Sequence, residues 1–136
     1  MAERTLTCLV CPQGCELRAA VQGDRIVSLE GHECARGEQY AAEELFRPLR
    51  VLTTTVRLQS EHVPRLPVKT SAPVPRERLR ACMAAARKRV VRPPVWCGEV
   101  VARDLAGTGA ELVATRTVGP YPAPPNDGRQ RRAERP

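Results

Sequence analysis

Val51-Leu52-Thr53-Thr54-Thr55-Val56-Arg57-Leu58 is the stretch on which the fold turns. Five of its eight residues are β-branched, and their stiff χ1 suits a pleated strand better than a helix. Working outward, Gln59-Ser60-Glu61-His62 reads as a turn and Arg65–Thr70 as a second strand, which Pro67 places at an edge or a bulge. Ala72-Pro73-Val74-Pro75 is extended. Arg76–Val91 reads as a helix, because Leu79, Cys82, Met83, Ala86 and Val90 recur at helical spacing and Pro93-Pro94 stops it. Val95–Asp104 and Glu111–Val118 read as two further strands joined through a Gly107-Thr108-Gly109 turn.

Upstream, residues 1–7 are a short lead with an alternating Thr5-Leu6-Thr7. Glu16–Gln22 alternates weakly, Gly23-Asp24 is a hairpin turn, and Arg25–Leu29 is the returning strand. Residues 38–46 carry helix formers, with Tyr40 and Phe46 covering one side and Pro48 following the end. The expected architecture is α+β: a cysteine knuckle around a β-hairpin over 1–47, a β-rich docking domain with one helix over 48–118, and a disordered tail over 119–136, where five of the 13 prolines fall.

Composition bounds what such a chain can do. Leu, Ile, Val and Phe total 29 of 136 residues, and the apolar share is raised by 17 alanines. That excludes a large, self-sufficient core and points to a metal, a partner or both. No run is long enough to span a membrane. The opening Met-Ala-Glu-Arg-Thr-Leu-Thr has no apolar signal region, so a cytoplasmic location is expected. The net charge of +7 comes from 20 Arg and 2 Lys against 15 acids. The arginines are scattered and no aromatics interleave with them, which argues against nucleic acid and for an acidic partner face.

The chemistry-bearing pattern is Cys8-Leu9-Val10-Cys11-Pro12-Gln13-Gly14-Cys15, followed by Cys34-Ala35-Arg36-Gly37. Three thiols within eight residues wrap one inorganic centre and a distant fourth closes it, as tetrahedral zinc or an iron–sulfur cluster requires. Zinc ribbons pair two C-x2-C knuckles. Three near ligands plus one remote suit a 4Fe–4S cubane better, with structural zinc the competing reading. Gly14 and Gly37 would let backbone amides approach sulfur, and Arg36 would raise the potential of the centre. His32 reads as an exposed loop residue, Cys82 as a small core residue, and Cys97 as unpartnered at ligand spacing.

The cysteine pattern is similar to the N-terminal 4Fe–4S segment of molybdopterin oxidoreductases, although this chain has no room for a molybdopterin domain. A broader resemblance, over about residues 5–118, is to a short four-cysteine family of bacterial and archaeal proteins, a domain of unknown function of the DUF1667 type. The stretches that carry it are Cys8–Cys15, Cys34–Ala41, Pro48–Val56, Leu66–Thr70, Gly107–Gly109 and Leu112–Arg116. The resemblance implies Cys8, Cys11, Cys15 and Cys34 as the ligand framework. It also implies metal binding beside FAD-dependent partners, one glycerol-3-phosphate-dehydrogenase-like and one an NAD(FAD)-dependent oxidoreductase. The Arg- and Pro-rich tail and Trp96-Cys97 depart from the family pattern.

No nucleophile, phosphate loop, flavin fingerprint or nicotinamide fingerprint occurs. The expectation is a non-catalytic redox subunit that leaves substrate chemistry to a partner.

Overall fold

A computed structural model describes residues 1–120. In chain order these form β1 (Ala2–Thr7), β2 (Glu16–Gln22), β3 (Arg25–Glu30), α1 (Ala35–Phe46), β4 (Leu49–Arg50), β5 (Thr53–Leu58), β6 (Arg65–Thr70), β7 (Val74–Pro75), α2 (Leu79–Arg87), β8 (Val90–Val91), β9 (Val100–Ala102) and β10 (Leu112–Ala114). Short 3-10 turns lie at Arg76–Arg78 and Leu105–Gly107. The fold class is α+β. Of the tail expected to be disordered, residues 121–136 lie outside the described residues. No helix among the described residues is long and apolar enough to cross a membrane.

The chain divides into two compact units, the first made of Met1–Val51 and Pro73–Leu79, the second of Leu52–Ala72 and the chain from Arg80 on. In the first unit β1, β2 and β3 form an antiparallel sheet in that order, and β4 pairs with β7. The lead read from residues 1–7 is thus a full strand, in register with β2 from Ala2↔Val21 to Thr7↔Glu16. Its exposed alternation left only Leu6 to signal a sheet. The hairpin turn falls where expected, with Gly23 at φ +60°. The core of this unit is small: a cluster of Cys8, Leu17 and Ala41, with Leu6, Cys15, Ile26, Leu29 and Tyr40 packed against it, and Ala19 and Val74 buried as well.

In the second unit five strands run in the order β8-β5-β6-β10-β9. Alternate residues Val56, Leu58, Leu66, Val68, Leu112 and Ala114 are buried, which gives the sheet one inward face. Thr70, also buried, accepts the Leu52 N–H at its hydroxyl (3.0 Å) while its own N–H reaches the Leu52 carbonyl (2.9 Å).

The structure corrects three readings. β6 is an interior strand, not an edge. Pro67 is tolerated because its carbonyl, accepting from Thr115 N–H (3.0 Å), faces β10, so its missing N–H falls just past the last paired residues, Ala114↔Val68. The helix expected over Arg76–Val91 reaches only from Leu79 to Arg87. Val90 and Val91 become β8, parallel to β5 through Arg57↔Val90 and Leu58↔Val91, where ladder bonds outweigh the helical pattern for β-branched residues. Finally, the strands expected over Val95–Asp104 and Glu111–Val118 shrink to β9, β10 and an isolated Val95↔Val118 bridge. The turn at Trp96–Glu99, with Gly98 at φ +87°, breaks the first of them.

Candidate metal centre

The first three cysteines sit in the loop that connects β1 to β2 and closes their hairpin. Beyond the last ladder pair, Thr7↔Glu16, the Cys8 N–H donates to the Cys15 carbonyl at 2.8 Å. That bond sets Cys8 and Cys15 opposite each other and leaves Cys11 in the loop between them. Gly14 adopts φ +62°, a left-handed turn that a side chain would resist. A Cβ there would meet nothing closer than 3.9 Å, so conformation rather than close approach to sulfur accounts for this glycine. Cys8 is buried and its thiol belongs to the small core, whereas Cys11 and Cys15 are half-buried.

Cys34 lies between β3 and α1. It is the exposed N-cap of α1, extended at φ −153° and ψ 161°. No strict side-chain capping bond forms there. Even so, the N–H groups of Gly37 and then Arg36 favour the thiolate, the Arg36 side chain adds to them, and the thiol is held below the usual thiol range. Gly37 is buried, and a Cβ on it would stand 3.3 Å from the Cβ of His32.

Two contacts draw the Cys34 segment to the Cys8–Cys15 loop. Gly31, at φ +83°, passes so close to β2 that a Cβ would lie 2.0 Å from the Glu16 carbonyl oxygen. Gln13, between Cys11 and Cys15, donates through Nε2 to Oε2 of Glu33 at 3.1 Å. Neither Gly31 nor the Gln13–Glu33 bond was anticipated.

All six cysteines are free thiols. Among the described residues, no three His, Cys, Asp or Glu side chains stand together as a group that could hold a metal ion. The structure therefore brings the Cys8–Cys15 loop and the Cys34 segment into contact without gathering the four thiols. The donor chemistry fits a soft metal or a cluster, since four free thiols on two touching segments of one compact unit are what such a centre takes. His32 is exposed. Cys82 is fully buried, 4.0 Å from the Leu105 carbonyl, and Cys97 is exposed; both belong to the second unit.

A family model described as "Protein of unknown function (DUF1667)" matches residues 35–116. The match begins one residue after Cys34 and so includes none of Cys8, Cys11, Cys15 and Cys34. The chain is similar in fold to a Clostridium perfringens protein solved by NMR, with a TM-score of 0.50 at 21% identity, over 56% of this chain and 91% of that one. Among curated proteins, none matches the sequence.

Proposed function

The chain belongs to the DUF1667 family, and we propose that it is a small metal-binding redox subunit whose Cys8, Cys11, Cys15 and Cys34 thiolates hold one inorganic centre, a 4Fe–4S cluster. The observation that carries this reading is the meeting of the two cysteine segments: Gly31 runs against the Glu16 carbonyl and Gln13 bonds Glu33. These contacts join segments that flank Cys15 and Cys34 although 18 residues separate those cysteines in the chain.

Bound there, the cluster would supply one-electron transfer to and from a flavin-dependent oxidoreductase, the partner class implied by the family resemblance. The chain's own residues prepare the ligands. The α1 N-terminus and Arg36 lower the cost of ionising Cys34. The Cys8–Cys15 main-chain bond fixes the mouth of the loop. Leu17 and Ala41 shield Cys8 from water. A reducing cytoplasm would keep all four sulfurs available. Substrate chemistry belongs to the partner.

The test is optical and magnetic, on full-length protein purified without oxygen. Absorbance near about 400 nm that bleaches on reduction, together with a paramagnetic signal in the reduced state, is the expected result. Serine at Cys8, Cys11, Cys15 or Cys34 should abolish both, while Cys82→Ser and Cys97→Ser should leave them. A colourless protein holding one zinc would replace this reading with a structural scaffold.

A further inference from the structure

The outward face of the five-stranded sheet carries an arrangement that folding alone does not favour. Register pairs Arg57 of β5 directly with Arg65 of β6, two like charges side by side on a solvent-exposed face. Such a pair destabilises a sheet. The strand positions of that face hold no acid to offset it. Lys69 stands on the same side of β6, opposite Thr53, and is also exposed. Among the described residues, no ion pair engages Arg57, Arg65 or Lys69. Arg65 has a structural task of its own: its Nε donates to the Thr55 hydroxyl (3.0 Å) and its Nη2 to the Thr55 carbonyl (2.9 Å). Arg57 and Lys69 have none that the fold displays.

Apolar groups flank these cations. Val90, next to Arg57 on β8, is 55% exposed, and Val113 of β10 lies beside Lys69. Arginine is enriched at protein interfaces; Glu61, in the turn after β5, lines the same hollow as Arg57 and Val90, but among the described residues it forms no ion pair with Arg57. Nothing aromatic stands at the strand positions of this face to stack a base.

We propose that this face docks the acidic surface of a partner protein, with Arg57 and Lys69 as its charge-reading residues and Val90 as an apolar contact. The inference rests on reading the chain as a subunit of a larger complex, but not on which metal the cysteines hold.

The experiment titrates the full chain, at low and moderate salt, against labelled poly-L-glutamate of about 20 residues and against oligothymidylate of equal length. The double variant Arg57→Gln/Lys69→Gln is compared with Lys88→Gln/Arg89→Gln, which removes the same charge from exposed positions beyond α2. The proposal expects polyglutamate binding to weaken about tenfold in the first variant and less than about twofold in the second. It also expects Arg57→Gln to melt no lower than the parent, because a like-charge neighbour is removed. Equal weakening in both variants, no polyglutamate binding, or tighter binding of oligothymidylate through the same residues would overturn it. Metal and sulfide content of the same preparations separates the two readings: a failed docking test with an intact cluster removes only this surface, and absence of a cluster leaves this test standing.

Discussion

At the residue scale, Gly31 is the glycine of the first unit with least room for a side chain. Its φ of +83° is open to glycine and resisted by other residues, and a Cβ there would collide with the Glu16 carbonyl at 2.0 Å. Backbone cannot yield as a flexible side chain would. Gly31→Ala should therefore destabilise the unit by more than about 2 kcal/mol, read by chemical denaturation, and should lower metal loading with it. A neutral Gly31→Ala would mean that the crossing beside Cys15 is loose. Cys34 makes a second test. In metal-free protein its thiol should alkylate at lower pH than free glutathione does, because amides of the α1 N-terminus and Arg36 favour its thiolate. Mass spectrometry of iodoacetamide-treated protein across a pH series reads the site, and Arg36→Gln should move the Cys34 midpoint upward. The thiol spacing was legible from the sequence alone. What Gly31 does was not, because a close backbone approach depends on where β2 lies and leaves no mark in local composition.

At the element scale, α1 is tied to β4 by a fork of hydrogen bonds from Arg50 to Glu44, one of them 2.9 Å from Nη1 to Oε2. Arg50 holds the Glu44 carboxyl below its ordinary range. A carboxylate with a depressed folded pKa adds stability that is complete above the unfolded value and is lost as pH falls through the folded one. Acid denaturation of the parent should thus steepen below the usual carboxylate range, and Glu44→Gln should flatten that part of the curve. An unchanged acid limb would show the pair to be inert. In the same unit Leu17, fully buried, anchors a core of few residues. Leu17→Ala should cost about 2–5 kcal/mol, enough to unfold so lean a unit, as circular dichroism would report. Sequence patterning located β5 and β6 because β-branched residues and alternation are local signals. It overextended the helix after Pro75, since Val90 fits a helical stripe and its pairing with Arg57 is a long-range fact. It read Pro67 as an edge or a bulge because a proline's neighbours, not its presence, decide whether its missing N–H matters.

At the scale of the whole molecule, the two units differ in how they are stabilised. The second buries aliphatic residues on four of its five strands, β5, β6, β9 and β10. The first closes over fewer residues, Cys8, Leu17 and Ala41 with Ala19 and Val74 also buried, so a ligated centre would supply much of its order. Removing the metal with a chelator should unfold the N-terminal unit while the amides of β5, β6 and β10 keep their protection in hydrogen exchange. Simultaneous loss across both units would contradict that division. The α+β class and the lean core were readable from composition and period. The interleaving of the units, with Pro73–Leu79 returning to the first, was not, because it depends on β4 pairing with β7 across more than 20 intervening residues. The central claim is that Cys8, Cys11, Cys15 and Cys34 share a redox-active centre. The most direct measurement is the iron, acid-labile sulfide and zinc content of the full chain purified anaerobically. The account predicts about four irons and four sulfides per chain, lost when any of these cysteines is replaced. Stoichiometric zinc with no sulfide, or iron that survives those replacements, would contradict it.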